Sequence, residues 1–147
     1  MKWIGVDTGA HTGLAVWDGR QFVAVETMPI HKALLRVKEM YDNRGSEAVA
    51  VVFEDARQRK WFPKVTAAKD RARLQGAGSV KRDATIWETA LRDWGIPFVM
   101  KAPKDNITKM NPDYFAKLTG WTGRTSEHSR DAAMLVFGRT AKTIFDL

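Results

Sequence analysis

The chain has 147 residues and a net charge of +7, with 24 lysines and arginines against 17 aspartates and glutamates. This length predicts one domain, residues 1–147, and excludes two ordinary ones. The absence of cysteine excludes disulfide scaffolds, thiol nucleophiles and cysteine-ligated metal sites, and indicates a reducing, cytoplasmic compartment. No apolar run approaches the ~20 residues of a membrane span, and residues 1–7 do not resemble a signal peptide, so we expect no membrane partner.

The positive charge is concentrated in one stretch, residues 57–82, which we call the basic segment. It contains nine basic residues and one acid, whereas the rest of the chain contains fifteen basic and sixteen acidic residues. A basic patch of this kind predicts a polyanionic partner such as a nucleic acid, although a solubilising helix face would have the same composition.

Three strands are predicted at the start of the chain, over residues 2–7, 12–17 and 21–27. The dipeptide Asp18-Gly19 predicts a tight hairpin turn between the second and third strands, because glycine readily adopts the positive φ of such turns. These strands therefore form an antiparallel meander.

Helices and further strands alternate in the rest of the chain. Apolar residues at helical spacing predict helices over 31–44 and 79–94, each closed by a glycine. Residues 48–53 are continuously apolar, which is typical of a central parallel strand buried on both faces, and residues 96–100 predict a fifth strand.

The C-terminal part completes an α/β pattern. A short helix is predicted near residues 112–118, and a last helix from the N-cap Ser126 to about residue 144. With the short helix left aside, the order β-β-β-α-β-α-β-α indicates a mixed sheet in which right-handed crossovers connect the parallel strands.

Two carboxylates stand at the ends of apolar strands, Asp7 after the first and Glu54 after the fourth. If these strands are parallel neighbours, both side chains emerge at the edge where open α/β sheets place their sites. The carboxylates would repel each other unless a cation lay between them, and hard oxygen ligands favour Mg²⁺ or Mn²⁺. The alternative is that each is a solvated residue of a turn.

A second polar pair, His128 and Asp131, is separated by three residues and shares one face of the last helix. The apolar residues that follow, within 132–136, turn this face towards the sheet. Polar groups there need partners, because unpartnered burial costs free energy. The alternative is that Asp131 pairs with a nearby base and His128 is solvated.

Several segments, in chain order, resemble the motifs of the RuvC-type Holliday-junction resolvases of the ribonuclease H-like superfamily. The resemblance covers most of the chain, although Arg130 stands where that family usually has a small residue. The matching segments are Ile4-Gly5-Val6-Asp7-Thr8-Gly9, Thr12-Gly13-Leu14-Ala15-Val16, Val51-Val52-Phe53-Glu54, Leu74-Gln75-Gly76-Ala77-Gly78-Ser79-Val80, Ala102-Pro103-Lys104 and His128-Ser129-Arg130-Asp131-Ala132-Ala133.

The resemblance implies a ribonuclease H-like α/β fold, with a five-stranded mixed sheet of three antiparallel and then parallel strands, flanked by helices. It implies a Mg²⁺-dependent homodimeric endonuclease, with Mn²⁺ as a substitute, that resolves four-way junctions in branched DNA by paired nicks. Its catalytic and metal-binding residues would be Asp7, Glu54, His128 and Asp131. Asp7 would bridge two ions, Glu54 and Asp131 would each bind one, and His128 would ligate the second ion or orient the attacking water. The small size suggests a phage-type relative, acting in the cytoplasm of a bacterial or phage-infected cell.

The loop after Glu54 is longer than in typical relatives and holds Trp61-Phe62 among basic residues. This combination suggests phosphate contacts beside a surface for base stacking, although the two aromatic residues could instead pin the loop to the core. The predicted nucleic-acid-binding residues are Arg57, Arg59, Lys60, Trp61, Phe62, Lys64, Arg71, Arg73, Lys81, Arg82, Lys104 and Lys109.

Four other functions share some of these features. Asp7-Thr8-Gly9 also matches the aspartic-protease triplet, but those folds are nearly all β, and six residues cannot supply the preceding hairpin. The phosphate loop of actin-like ATPases is similar, but that fold needs two such domains. A ribonuclease H-like nuclease acting on RNA or an RNA–DNA hybrid, and a non-catalytic DNA-binding module, stay open as alternatives.

Overall fold

The structure, a computed structural model, describes residues 1–58 and 68–142, without the side chains of residues 68–77, 80 and 104. No helix in these ranges is both long and apolar enough to cross a bilayer. In the described part of the chain, two short 3₁₀ turns, Ala56–Gln58 and Pro103–Asp105, accompany nine longer elements. These are β1 (Lys2–Asp7), β2 (His11–Trp17), β3 (Phe22–Pro29), α1 (Ile30–Asp42), β4 (Val49–Glu54), α2 (Ala68–Trp94), β5 (Phe98–Lys101), α3 (Pro112–Thr119) and α4 (Glu127–Val136).

The strands form one mixed sheet in the order β3-β2-β1-β4-β5. β1 is antiparallel to β2, which is antiparallel to β3, whereas β4 is parallel to both β1 and β5. Every residue of β4 except Glu54 is buried. The predicted meander, the central buried strand and the five-stranded mixed sheet are therefore confirmed.

Each face of the sheet is covered by helices. Alternate side chains of β1, including Ile4 and Val6, pack with α1 and α2, where Ala84, Trp87 and Leu91 are fully buried. The other face, which includes Trp3, packs with α3 and α4. Burying each large apolar side chain contributes about 1.5–3 kcal/mol, so this two-sided core fixes the sheet that carries the candidate site.

Two predicted helix boundaries are wrong. α2 begins at Ala68 and not at residue 79, so the helix includes Gly76 and Gly78. The surrounding alanine, lysine, arginine, leucine and glutamine are strong helix formers and outweigh about 1 kcal/mol per glycine. α4 ends at Val136 and not near residue 144, because Gly138 adopts a φ of +79° that a right-handed helix cannot continue.

The hairpin between β2 and β3 follows its sequence signal but is longer than a tight turn. Gly19 has a φ of +96°, as the Asp-Gly signal predicts. The connection spans residues 18–21, and the Asp18 carboxylate accepts hydrogen bonds from the backbone N–H groups of Arg20 and Gln21. This side-chain cap stabilises four loop residues instead of two.

Candidate active site

One row of residues crosses the sheet where β1 and β4 end. Asp7 lies opposite Gly13 of β2, and the β1–β4 register brings Glu54 to the same edge. Glu54 lies opposite Lys101 of β5. Because side chains alternate along a strand, Asp7, Glu54 and Lys101 point to the face that α4 covers. The predicted meeting of Asp7 and Glu54 at one edge is confirmed.

Two glycines let α4 lie directly on the sheet. A Cβ atom on Gly13 would lie 2.0 Å from the backbone oxygen of His128, and one on Gly5 would lie 2.1 Å from that of Ala132. Any side chain at either position would push the helix away from β1 and β2. The sequence signal for this close approach was a glycine within each strand, and our sequence reasoning missed it.

The first turn of α4 is fixed by its cap. The Ser126 hydroxyl accepts from the N–H of Ser129 at 3.1 Å, and the Ser129 hydroxyl accepts from the N–H of Ser126 at 2.8 Å. Ser126 also hydrogen-bonds the Thr27 hydroxyl of β3. The predicted N-cap is confirmed, and this reciprocal pair sets where His128 enters the site.

His128 contacts Asp7 directly. Its Nδ1 atom lies 2.9 Å from Asp7 Oδ2, although its own side chain is 55% exposed. The pKa of Asp7 is raised from 3.8 to about 6, mainly by burial and also by the negative charges of Asp131 and Glu54, whereas His128 opposes the shift. Asp7 therefore lies in a crowded acidic environment, with the imidazole on its open side.

Asp131 faces a loop that follows β5. Its Oδ1 accepts from the backbone N–H of Lys109 at 2.9 Å, and burial raises its pKa despite this bond. The Asn106 side-chain N–H₂ group lies 3.5 Å from Glu54 Oε2 and 3.3 Å from the backbone oxygen of Asp131. Asn106, which sequence reasoning missed, therefore connects the second and third predicted acids.

The structure explains the arginine at position 130, which stands where the RuvC-type resolvases usually have a small residue. It is buried beside Asp131, and its guanidinium donates to the Met110 backbone oxygen at 2.7 Å and to the Thr125 hydroxyl at 2.9 Å. It thereby fastens residues 109–110 to α4. Lys109 adopts a φ of +58°, which costs free energy for a residue other than glycine and needs such anchoring.

The carboxylate side chains of the candidate site are suitable ligands for a hard divalent cation, but their positions are less suitable. A cation would stabilise the ionised form of Asp7, whose pKa is raised mainly by burial and also by the charges of Asp131 and Glu54. Within residues 1–58 and 68–142, however, no three carboxylate or imidazole groups converge as a complete ligand set. The Asp7 side chain contacts His128, and the Asp131 side chain accepts a hydrogen bond from the Lys109 N–H, so both carboxylates already have protein partners. Metal binding at Asp7, Glu54, His128 and Asp131 therefore stays a prediction.

The predicted nucleic-acid-binding residues separate into three groups. Arg57 pairs with the buried Asp55 at 2.7 Å and with Glu88 of α2 at 2.7 Å, so its charge is compensated within the protein. Arg82 hydrogen-bonds Ser79, Lys81 also has an interaction partner, and the Lys109 side chain is exposed. The side chains of Arg59, Lys60, Trp61, Phe62, Lys64, Arg71, Arg73 and Lys104 lie outside the described residues.

Lys101 is a further cation at this edge that sequence reasoning did not single out. It is partly buried, and burial lowers its pKa, with the Arg139 charge acting in the same direction. The available signal was its position as the last residue of a strand beside the one that ends in Glu54. The edge therefore carries positive as well as negative charge.

Comparisons with known proteins give the fold. No family model and no curated protein matches the sequence. Among solved structures, the chain is similar to T. thermophilus RuvC in complex with Holliday junction substrate, with a TM-score of 0.54 and 19% sequence identity. The match covers 92% of this chain and 89% of that chain. The phage-type assignment stays a prediction, but the shared sheet and helices identify a ribonuclease H-like fold.

Proposed function

We propose that the chain is a divalent-cation-dependent endonuclease that cuts branched DNA, with four-way junctions as its preferred substrate. The observation that carries this proposal is the meeting of Asp7, Glu54, His128 and Asp131 at one sheet edge, from β1, β4 and α4. The similarity in fold to a RuvC bound to Holliday junction substrate supports branched DNA as the substrate class.

The three carboxylates would hold the cations, with Mg²⁺ as the expected ion. Bound cations would activate a water molecule and stabilise the leaving oxygen of a phosphodiester. Asp7 is largely ionised at pH 7–8, because this range lies above its pKa of about 6. His128 is oriented by Asp7, and its exposure leaves the ring accessible to a phosphate or a water molecule.

Affinity for DNA would come from the basic segment, which begins three residues after Glu54. Arg57 contributes little, because Asp55 and Glu88 already neutralise it. Replacing Lys60 and Lys64 by alanine should weaken junction binding. It should also reduce the slope of log affinity against log salt by about 0.9 for each phosphate that the protein no longer neutralises. An unchanged slope would remove these two residues from the interface.

Paired nicks require two active centres, and each chain supplies one set of the four residues. We therefore expect a homodimer on the junction. Sedimentation of the protein with and without a synthetic junction tests this directly. A single chain per junction would exclude concerted cutting and leave a nuclease that nicks one strand at a time.

A cleavage assay with Mg²⁺ at modest salt tests the proposal. Its substrates are a four-way DNA junction, a flap, a linear duplex and an RNA–DNA hybrid. Asp7→Asn is the inactive variant, and Asp93→Asn, at an exposed position on α2, is the matched control. We expect paired nicks at the junction from the wild type and the control, and none from Asp7→Asn, which should still bind.

The other outcomes would replace the proposal. Preferential cutting of the hybrid would assign the chain to nucleases acting on RNA–DNA. If the protein binds the junction tightly but does not cut it with either Mg²⁺ or Mn²⁺, the chain would be a DNA-binding module. Loss of junction binding by a correctly folded Asp7→Asn would make Asp7 a binding residue instead of a catalytic one.

A further inference from the structure

Asn106 contacts two of the predicted site residues, Glu54 and Asp131, although it is neither acidic nor basic. Its amide nitrogen lies between Glu54 Oε2, at 3.5 Å, and the backbone oxygen of Asp131, at 3.3 Å. One acceptor belongs to the end of β4 and the other to α4. A single side chain thus spans the gap between two elements that supply carboxylates.

The oxygen end of this amide has no partner in the part of the chain that the structure describes. Asn106 Oδ1 is buried and has no hydrogen-bond partner among the described residues. A buried polar oxygen costs free energy unless a donor or a cation reaches it. The nearby side chains of Glu54 and Asp131 are oxygen acceptors, so they cannot satisfy it when ionised.

The backbone around Asn106 is held in place, so the amide is positioned in advance. Its own N–H donates to the Pro103 backbone oxygen at 3.3 Å. Three residues later, the Lys109 N–H is bound to Asp131. Arg130 then donates to the Met110 backbone oxygen. Asn106 therefore lies on a loop tied to α4 at two further points.

We propose that Asn106 is a positioning residue for the divalent cation. Its amide N–H₂ group holds Glu54 against α4, and its side-chain oxygen accepts a hydrogen bond from water bound to the cation. An amide suits both tasks, because it donates on one side and accepts on the other without adding negative charge to three carboxylates. This inference rests on the proposed function and adds a residue to its site.

The first test measures cation binding without DNA, by titrating Mg²⁺ and then Mn²⁺ calorimetrically into the purified protein. Residues that orient metal ligands typically change metal affinity about 10–100-fold when removed. We expect Asn106→Ala to weaken Mg²⁺ binding by about 10-fold or more. The matched control is Asn111→Ala, which removes the side-chain cap of α3 and should lower stability without changing cation affinity.

The second test separates the two tasks of the amide. Asn106→Asp keeps an acceptor oxygen but loses the donor that holds Glu54. We expect it to bind Mg²⁺ at least as tightly as Asn106→Ala, yet to cut the junction about 10-fold or more slowly than the wild type through a lower kcat, with KM little changed. This variant also keeps the test decisive if Asn106→Ala does not fold.

The outcomes for the inference and for the proposed function are distinct. Wild-type Mg²⁺ affinity and wild-type kcat in both Asn106 variants would overturn the role of Asn106 and leave the nuclease intact. Failure of the wild-type protein to bind either cation or to cut any substrate would overturn the proposed function, and the inference with it.

Discussion

Replacing Asp7 by asparagine should make the protein more stable while abolishing cleavage. Burial and two neighbouring carboxylates raise the pKa of Asp7 from 3.8 to about 6, so the folded protein disfavours its charge. Asparagine has nearly the same shape, keeps an oxygen facing His128 and carries no charge. The stability gained and the activity lost would thus have one cause, the removal of a negative charge that is buried beside two other carboxylates.

The size of this effect follows from the two pKa values. A difference of about two pH units corresponds to about 3 kcal/mol of unfolding free energy once Asp7 is ionised in both states. Because the folded pKa is the higher one, protonation stabilises the folded state, and wild-type stability is lost as pH rises towards 6. The advantage of Asp7→Asn should therefore be about 0.5 kcal/mol at pH 4, about 1.5 kcal/mol at pH 5 and about 3 kcal/mol at pH 8.

Urea unfolding followed by tryptophan fluorescence measures this difference. The experiment compares the wild type with Asp7→Asn from pH 4 to pH 8 in the presence of a chelator. Asp93→Asn, which changes an exposed acid on α2, should differ little from the wild type at every pH. Added Mg²⁺ should then stabilise the wild type more than Asp7→Asn. Two results would refute this reasoning: a lower stability of Asp7→Asn than of the wild type at pH 8, or a stability difference that does not grow with pH. Either would mean that burial and neighbouring charges do not disfavour the ionised form of Asp7.

Three further predictions concern how the site is held. Gly13→Ala should lower the free energy of unfolding by about 1–3 kcal/mol, because it displaces α4, and should reduce cleavage at least 10-fold. Gly78→Ala, which has open space around it, should be neutral or stabilising. Equal effects of the two variants in unfolding and cleavage assays would contradict the close approach of α4 to Gly13. Arg130→Met should leave buried acceptors unpaired and lower the free energy of unfolding by about 1–3 kcal/mol. It should also speed hydrogen exchange at the Lys109 amide, which is bound to Asp131. Unchanged exchange at this amide would mean that other contacts hold the loop. Arg57→Ala should lower stability in urea, because Arg57 pairs with Asp55 and Glu88, and should change the salt dependence of DNA binding little. Unchanged stability with a reduced salt dependence would mean that Arg57 contacts the DNA.

The sheet could be predicted from sequence because its signals are local and strong. Residues 48–53 are apolar without interruption, and a run this short is typical of a strand covered on both faces. Once β4 is central and parallel to β1, the meeting of Asp7 with Glu54 follows from topology alone. The cap at Ser126 is equally local, since its hydroxyl accepts from the N–H of Ser129 in the first turn of the same helix.

Other features depend on contacts between distant segments and could not be predicted in this way. Arg57 belongs to a basic run by composition, yet it pairs with the distant Glu88 of α2 as well as with its neighbour Asp55. Asn106 is an ordinary loop residue in the sequence, and it acquires neighbours only when the loop folds against α4. The predicted start of α2 is wrong for another reason, because the residues around Gly76 and Gly78 favour a helix strongly enough to outweigh the two glycines.

The close approach of α4 explains why polar residues are buried on its inner side. Glycine within a strand weakens the strand by about 0.5–1 kcal/mol relative to alanine, and β1 and β2 each carry one under the helix. In return, the helix backbone lies low enough for His128 Nδ1 to reach Asp7 at 2.9 Å. Ser129 and Arg130 then fall between the sheet and the loop, where each has hydrogen-bond partners. The same contacts therefore dock the helix and set the geometry of the candidate site, so a substitution that lifts α4 should impair stability and cleavage together.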